Sequence, residues 1–152
     1  MLQHSPATTE IALGDGRISL EHELDRGEPG RFDVLVVDAF LSDSIPVHLV
    51  TQESLALYQR HLRGSDSVIA FNVTNRFLDL APVLRGEALA RHLAIVQVNQ
   101  DGSSWILLSA NPAMLQMPGL REVAQPPAAN RPPLLWTDDY SNVFQVFRGA
   151  RL

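Results

Sequence analysis

Four consecutive apolar residues, Val34-Leu35-Val36-Val37, bounded by Asp33 and Asp38, constrain the fold of this chain more than any other stretch. A run that is apolar on both faces reads as a strand buried inside a parallel sheet. In open α/β sheets, ligands bind just beyond the carboxyl ends of such strands. Asp38 stands at that end, and the loop after it carries a second carboxylate, Asp43. An acid so situated is a candidate for holding or deprotonating a ligand.

The flanking segments alternate between the two periodicities. Residues 8–13 are β-prone and are closed by Gly14-Asp15-Gly16, a turn signature. Ile18, Leu20 and Leu24 among charged residues predict a short helix, followed by a loop over 25–30. Thr51 is a good N-cap, with Glu53 in the first turn, for a helix to Leu62 that Gly64 ends. Residues 67–73 read as a second buried strand. Asp79 is the expected cap of a helix running to about His92, with Pro82 in its first turn. Residues 93–99 and 104–110 flank Gln100-Asp101-Gly102-Ser103, and Asp-Gly in so short a connection is a strong hairpin signal. Residues 112–117 read as a helical turn, and residues 118–133, with five of the ten prolines, as an irregular surface segment. Asp138-Asp139 precede a last helical segment, 143–147, and capping it is a better reading for them than lining an acidic mouth. Phe71, Trp105, Trp136 and Phe144 read as core.

Composition narrows the function classes. A chain of 152 residues makes one domain with a real core. No apolar run approaches the ~20 residues that span a bilayer, and the N-terminus has neither the basic segment nor the apolar core of a secretory signal. With no cysteine, disulfides and thiolate metal sites are excluded; a cytoplasmic protein is the expectation. The formal net charge of -5 argues against nucleic acid and favours a cationic ligand. All 12 basic residues are arginine, which removes lysine chemistry such as Schiff bases and P-loops. The five histidines lack metal-ligand spacing, and no Gly-x-Ser-x-Gly elbow is present. His48 lies near the presumed site, where a lone histidine is usually structural.

Several segments carry a resemblance. They are Gly14-Asp15-Gly16-Arg17-Ile18-Ser19-Leu20-Glu21, Asp33 to Phe40 with Ser42-Asp43-Ser44-Ile45-Pro46-Val47-His48-Leu49, Asn72 to Leu80, and Trp136-Thr137-Asp138-Asp139-Tyr140-Ser141-Asn142. In this order they resemble the spermidine synthase (aminopropyltransferase) family, whose fold is a seven-stranded sheet of order 3-2-1-4-5-7-6. The resemblance implies an α/β fold with an incomplete class I methyltransferase-like (Rossmann-type) sheet, mostly parallel, ending in an antiparallel hairpin strand. It implies decarboxylated S-adenosylmethionine as co-substrate, no tightly bound cofactor, no metal, and an amine acceptor. Asp38 would be the general base and Asp43 would hold the amine, although the family's Asp-Pro pair is Asp43-Ser44 here. Asp15 and Gly16 would bind the adenine end of the nucleoside.

The family's Gly-rich loop and the acid ending its second strand are absent. Residues 1–152 are therefore expected to form a single domain lacking the first two strands. The expected function is that of a spermidine-synthase-like domain of polyamine metabolism, incomplete as an isolated chain. A non-catalytic assembly or small-ligand-binding module and an S-adenosylmethionine-dependent methyltransferase-like protein are the alternatives. The missing strands would leave the run at 34–37 with a bare edge. Two remedies are expected: residues 8–13 slide over to pair with it, or two copies meet there as a homodimer.

Overall fold

The computed structural model describes residues 7–39 and 46–148, so Asp43 lies outside the described residues. The first helix, α1 (Gly16–Asp25), starts at Asp15, whose carboxylate accepts the Arg17 and Ile18 amides. Strand β1 (Val34–Val37) follows. A single 3-10 turn over Val47–Leu49 then leads into α2 (Gln52–His61). Thr51 caps α2 in a full capping box with Ser54, each side chain bonding the other's backbone. Strand β2 (Val68–Asn72), helix α3 (Ala81–Ala90) and the hairpin of β3 (Ala94–Gln100) and β4 (Ser103–Ser109) complete the main frame. Asp101 and Gly102 turn the hairpin with φ of 50° and 80°, the left-handed pair a two-residue type I′ turn requires. A 3-10 turn over Pro112–Gln116, a short helix α4 (Leu120–Val123), the two-residue β5 (Ala124–Gln125) and a 3-10 turn over Val143–Val146 follow.

The five strands form one mixed sheet of order β1-β2-β4-β3-β5. Only β1 and β2 pair in parallel; the other three pairings are antiparallel. This corrects the expectation of a mostly parallel sheet, and the reason is topological. Strands β1, β2 and β3 all run the same way, but the tight turn at Asp101-Gly102 sends β4 back into the gap between β2 and β3. One parallel contact is thereby replaced by two antiparallel ones.

The register sets the core. Leu35 and Val37 lie opposite Ile69 and Phe71, which lie opposite Leu108 and Ile106. These residues share one face with Leu55 and Tyr58 of α2 and Val83, Leu84 and Ala88 of α3, and all are buried in a single cluster. Residues 112–123 pack against β3 and β4 and bury Leu115 outside that cluster.

Four further expectations are corrected. The run at 34–37 is not buried on both faces: Val34 and Val36 are 58% and 56% exposed, because only the Leu35 and Val37 side of β1 meets helices. Residues 8–13 form no strand and do not pair with β1 although that edge is open; β propensity alone does not make a strand. Phe144 is exposed rather than core, whereas Phe71 and Trp136 are fully buried. The α3 cap falls on Leu80, one residue past Asp79, although the Asp79 carboxylate still accepts the Ala81 amide. No helix among the described residues is long and apolar enough to cross a membrane.

Candidate functional site

Two hollows meet around the start of α1. The first is a cleft of about 460 Å³ beside the free edge of β1, walled by Gly16 and Leu20 of α1, by Val36 and Asp38, and by Leu49 and Tyr58. Asp38 follows the last residue of β1 directly, so the end of the strand carries its carboxylate to the cleft. Asn72, the last residue of the neighbouring β2, donates from Nδ2 to Asp38 Oδ1 at 2.9 Å. The amide of Thr74 donates to Asn72 Oδ1 at 2.9 Å, which fixes which way the Asn72 amide faces. Thr74 Oγ1 in turn accepts the Ser104 amide at 2.9 Å, tying the arrangement to the start of β4. One oxygen of Asp38 is thus held by a supported donor, and Oδ2 has no protein partner among the described residues. Tyr58, at the floor, donates its hydroxyl to the Leu49 carbonyl at 3.1 Å, and burial pushes the phenol up to about 12, so it stays protonated.

The second hollow, of about 620 Å³, is lined by polar side chains including Asp15, Arg17, Glu21, His48, Thr51 and Asp138. Arg17 is its hub. Its guanidinium donates to both oxygens of Asp138, to the His48 carbonyl at 2.8 Å and to Glu21 Oε1 at 3.0 Å. Thr51 Oγ1 donates to Asp138 Oδ1 at 2.8 Å while accepting the Ser54 amide, so the cap of α2 and the Arg17 pair share an atom. Glu53 accepts the Asp138 amide at 3.0 Å. Arg17 holds the Asp138 carboxyl below its ordinary range, and Asp138 raises the Arg17 guanidinium above its own. Asp15 Oδ2 meets His48 Nε2 at 2.9 Å; the Ile18 amide first, and then His48, lower the Asp15 carboxyl.

Asp38 and Gly16 share the first cleft, while Asp15 lines the second hollow, where its Oδ1 carries two helix-cap bonds and its Oδ2 carries His48. Adenine would have to share a carboxylate that already serves the helix cap and His48. Asp138 does not cap the segment at 143–146; Asn142 does, accepting the Phe144 amide at 3.1 Å, because Asp138 is drawn to Arg17. Sequence reasoning did not single out Arg17, Thr51 as more than a cap, or Asn72. The signal was there: Asp15, Arg17, His48 and Asp138 come from three of the separate segments that carry the resemblance, and the fold brings them into one network. Among the described residues no three His, Asp or Glu side chains are grouped to hold a metal. No protein-family model matches the chain, and no curated protein matches it significantly.

Proposed function

We propose that this chain is a spermidine-synthase-like domain of polyamine metabolism, which receives a protonated amine at Asp38. The observation that carries the reading is the strand order. The rear half of the 3-2-1-4-5-7-6 sheet runs 4-5-7-6, with its seventh strand reversed and inserted; β1-β2-β4-β3 has the same order and the same reversed strand in third position. On that correspondence Asp38 ends the equivalent of strand four.

The chemistry follows from the carboxylate. An ammonium group is no nucleophile until it loses a proton, and a carboxylate within hydrogen-bond reach can accept that proton. Asn72 keeps one Asp38 oxygen engaged and leaves the other for the amine. The freed nitrogen lone pair then forms a C–N bond at the methylene next to the sulfonium of decarboxylated S-adenosylmethionine. The C–S bond breaks, its electron pair goes to sulfur, and methylthioadenosine departs. Alignment supplies much of the rate in such a displacement. These residues hold no Gly-rich loop to align the nucleoside, so the reading expects them to bind the amine, and expects turnover only where such a grip is joined to them.

Calorimetric titration with putrescine and with methylthioadenosine tests it. Putrescine binding that is lost in Asp38→Asn, with the fold intact by circular dichroism, supports the reading. Failure of both ligands to bind a folded chain removes it. The second reading is a non-catalytic binding or assembly module on the same scaffold. It is favoured by the Asp15 carboxylate, which is engaged by the helix cap and by His48.

A further inference from the structure

The two edges of the sheet are treated differently. The β5 edge is two residues long and runs straight into Pro126-Pro127, which cannot extend a ladder of hydrogen bonds. Among the described residues the β1 edge has no such protection: it is apolar, flanked by the 460 Å³ cleft and carries exposed Val34 and Val36. The same chain also holds an unpaired segment with the pattern of an edge strand. In residues 8–13, alternation puts Thr9, Ile11 and Leu13 on one side and Thr8, Glu10 and Ala12 on the other. Ile11 and Leu13 are 71% and 93% exposed, so this apolar side has found no cover.

We propose that residues 8–13 of one copy add as a strand to the open β1 edge of a second copy, reciprocally, so that the chain forms a strand-exchanged homodimer. In that arrangement Ile11 and Leu13 extend the Leu35 and Val37 side of the sheet towards Leu20 and Leu49. Thr8, Glu10 and Ala12 extend the Val34 and Val36 side, and Glu10 leaves a charge on the new edge. Within the single subunit the segment makes no pairing with β1, which leaves both the segment and the edge for a second copy. Asp15 and Arg17, tied to His48, Thr51 and Asp138, fix the point from which the segment leaves α1. From there it passes the mouth of its own cleft with Ala12 at the wall and makes no pairing with β1. Docking six extended residues along the β1 edge, where they compete with an amine for the cleft at Asp38, buries on the order of 800 Å² counting both sides. Two reciprocal dockings then reach about 1,600 Å², the size of a stable interface. The exchange is isologous and closes on itself, so it stops at two copies.

Sedimentation velocity across the micromolar range, joined to cross-linking, tests the proposal. The wild-type chain is expected to be a dimer, and Ile11→Asp with Leu13→Asp is expected to weaken it by more than about tenfold. The circular dichroism of that variant should not change, because both side chains are exposed in the single subunit. The chain has no native cysteine, so Ala12→Cys and Val36→Cys, each on a separate copy, should form a mixed disulfide in excess of either self-pair. A chain that stays monomeric throughout, or a dimer indifferent to the Asp substitutions, overturns the proposal. So does a monomeric Ala12→Cys/Val36→Cys double variant that closes its disulfide internally.

Discussion

Glu87 of α3 is fully buried, and neither carboxylate oxygen has a hydrogen-bond partner. Arg91 Nε comes no nearer than 3.5 Å, since that guanidinium donates to the Gln59 side chain and the Gln52 carbonyl. Burial pushes the Glu87 carboxyl up from 4.5 to about 7, against the opposing pull of Arg91. The folded state therefore holds this proton more tightly than the unfolded chain does. Its contribution to stability is complete below about 4.5 and is lost as pH rises through about 7. The shift corresponds to a difference on the order of 3 kcal/mol. Urea midpoints should fall between about pH 5 and about pH 8 in the wild type and stay level in Glu87→Gln; parallel curves would refute the assignment. Asp15 and Asp138 act in the opposite sense. Both are lowered from 3.8, so their contribution is present above that value and fades as pH drops through their folded pKa. Arg17→Ala leaves Asp138 and Glu21 without their cation and should cost about 1–3 kcal/mol. Arg17→Lys should recover only part of that loss, as an ammonium cannot reach both Asp138 oxygens and Glu21 from its fork-like positions. Thermal melts of the two variants decide it.

Elements whose start and stop depend on neighbouring residues were legible in the chain. Thr51 ahead of α2, Pro82 in the first turn of α3 and Asp101-Gly102 between β3 and β4 all act locally, within a few residues of where they stand. Pairing was less legible. Val34–Val37 is as apolar as an interior strand, but whether both its faces are covered depends on what packs over the sheet, and the Val34 and Val36 side is left exposed. Residues 8–13 have strand composition and no partner within the subunit. Close packing of irregular segments escaped sequence reasoning as well. Gly86 in α3 looks like an ordinary helix glycine, but a Cβ built there would stand 1.9 Å from the Leu134 carbonyl oxygen. The Leu134 amide also bonds the Pro82 carbonyl, so the backbone at 134 cannot easily withdraw. Gly86→Ala should therefore destabilise by about 1–3 kcal/mol, despite the better helix propensity of alanine. Gly64→Ala, with open space around its Cβ, should change stability by less than about 1 kcal/mol. Equal melting temperatures for the two variants would contradict the close approach.

Across the whole molecule, the parts that surround the candidate site are joined to the frame by polar links, and the frame itself is held by apolar burial. The sequence exposed Asp38 because strand ends in α/β sheets are informative positions, but it could not show that Asn72 steadies it. That depends on the register of β1 against β2. Nor could it show that Arg17, Thr51 and Asp138, up to 121 residues apart, share one network. No residue of α1 is fully buried; Leu20 and Leu24 only edge the core, and the helix is held by Arg17, by Asp15 with His48, and by the Leu20 carbonyl bonded to His61. By contrast, Ile69, Phe71, Ile106 and Leu108 sit in central strands with neighbours on both sides and no more than 1% exposure. Opening of α1 should thus cost less than global unfolding, and salt should loosen it, since ion pairs near the surface are screened while apolar burial is not. Hydrogen exchange on the Ile11→Asp/Leu13→Asp variant, kept monomeric to remove any effect of association, measures this directly. Raising salt from about 0.05 M to about 1 M should speed exchange across α1 several-fold and leave β2 and β4 as protected as before. Exchange in α1 that tracks the central strands at both ionic strengths would mean the helix is part of the cooperative core and that its polar anchors do not govern access to the cleft.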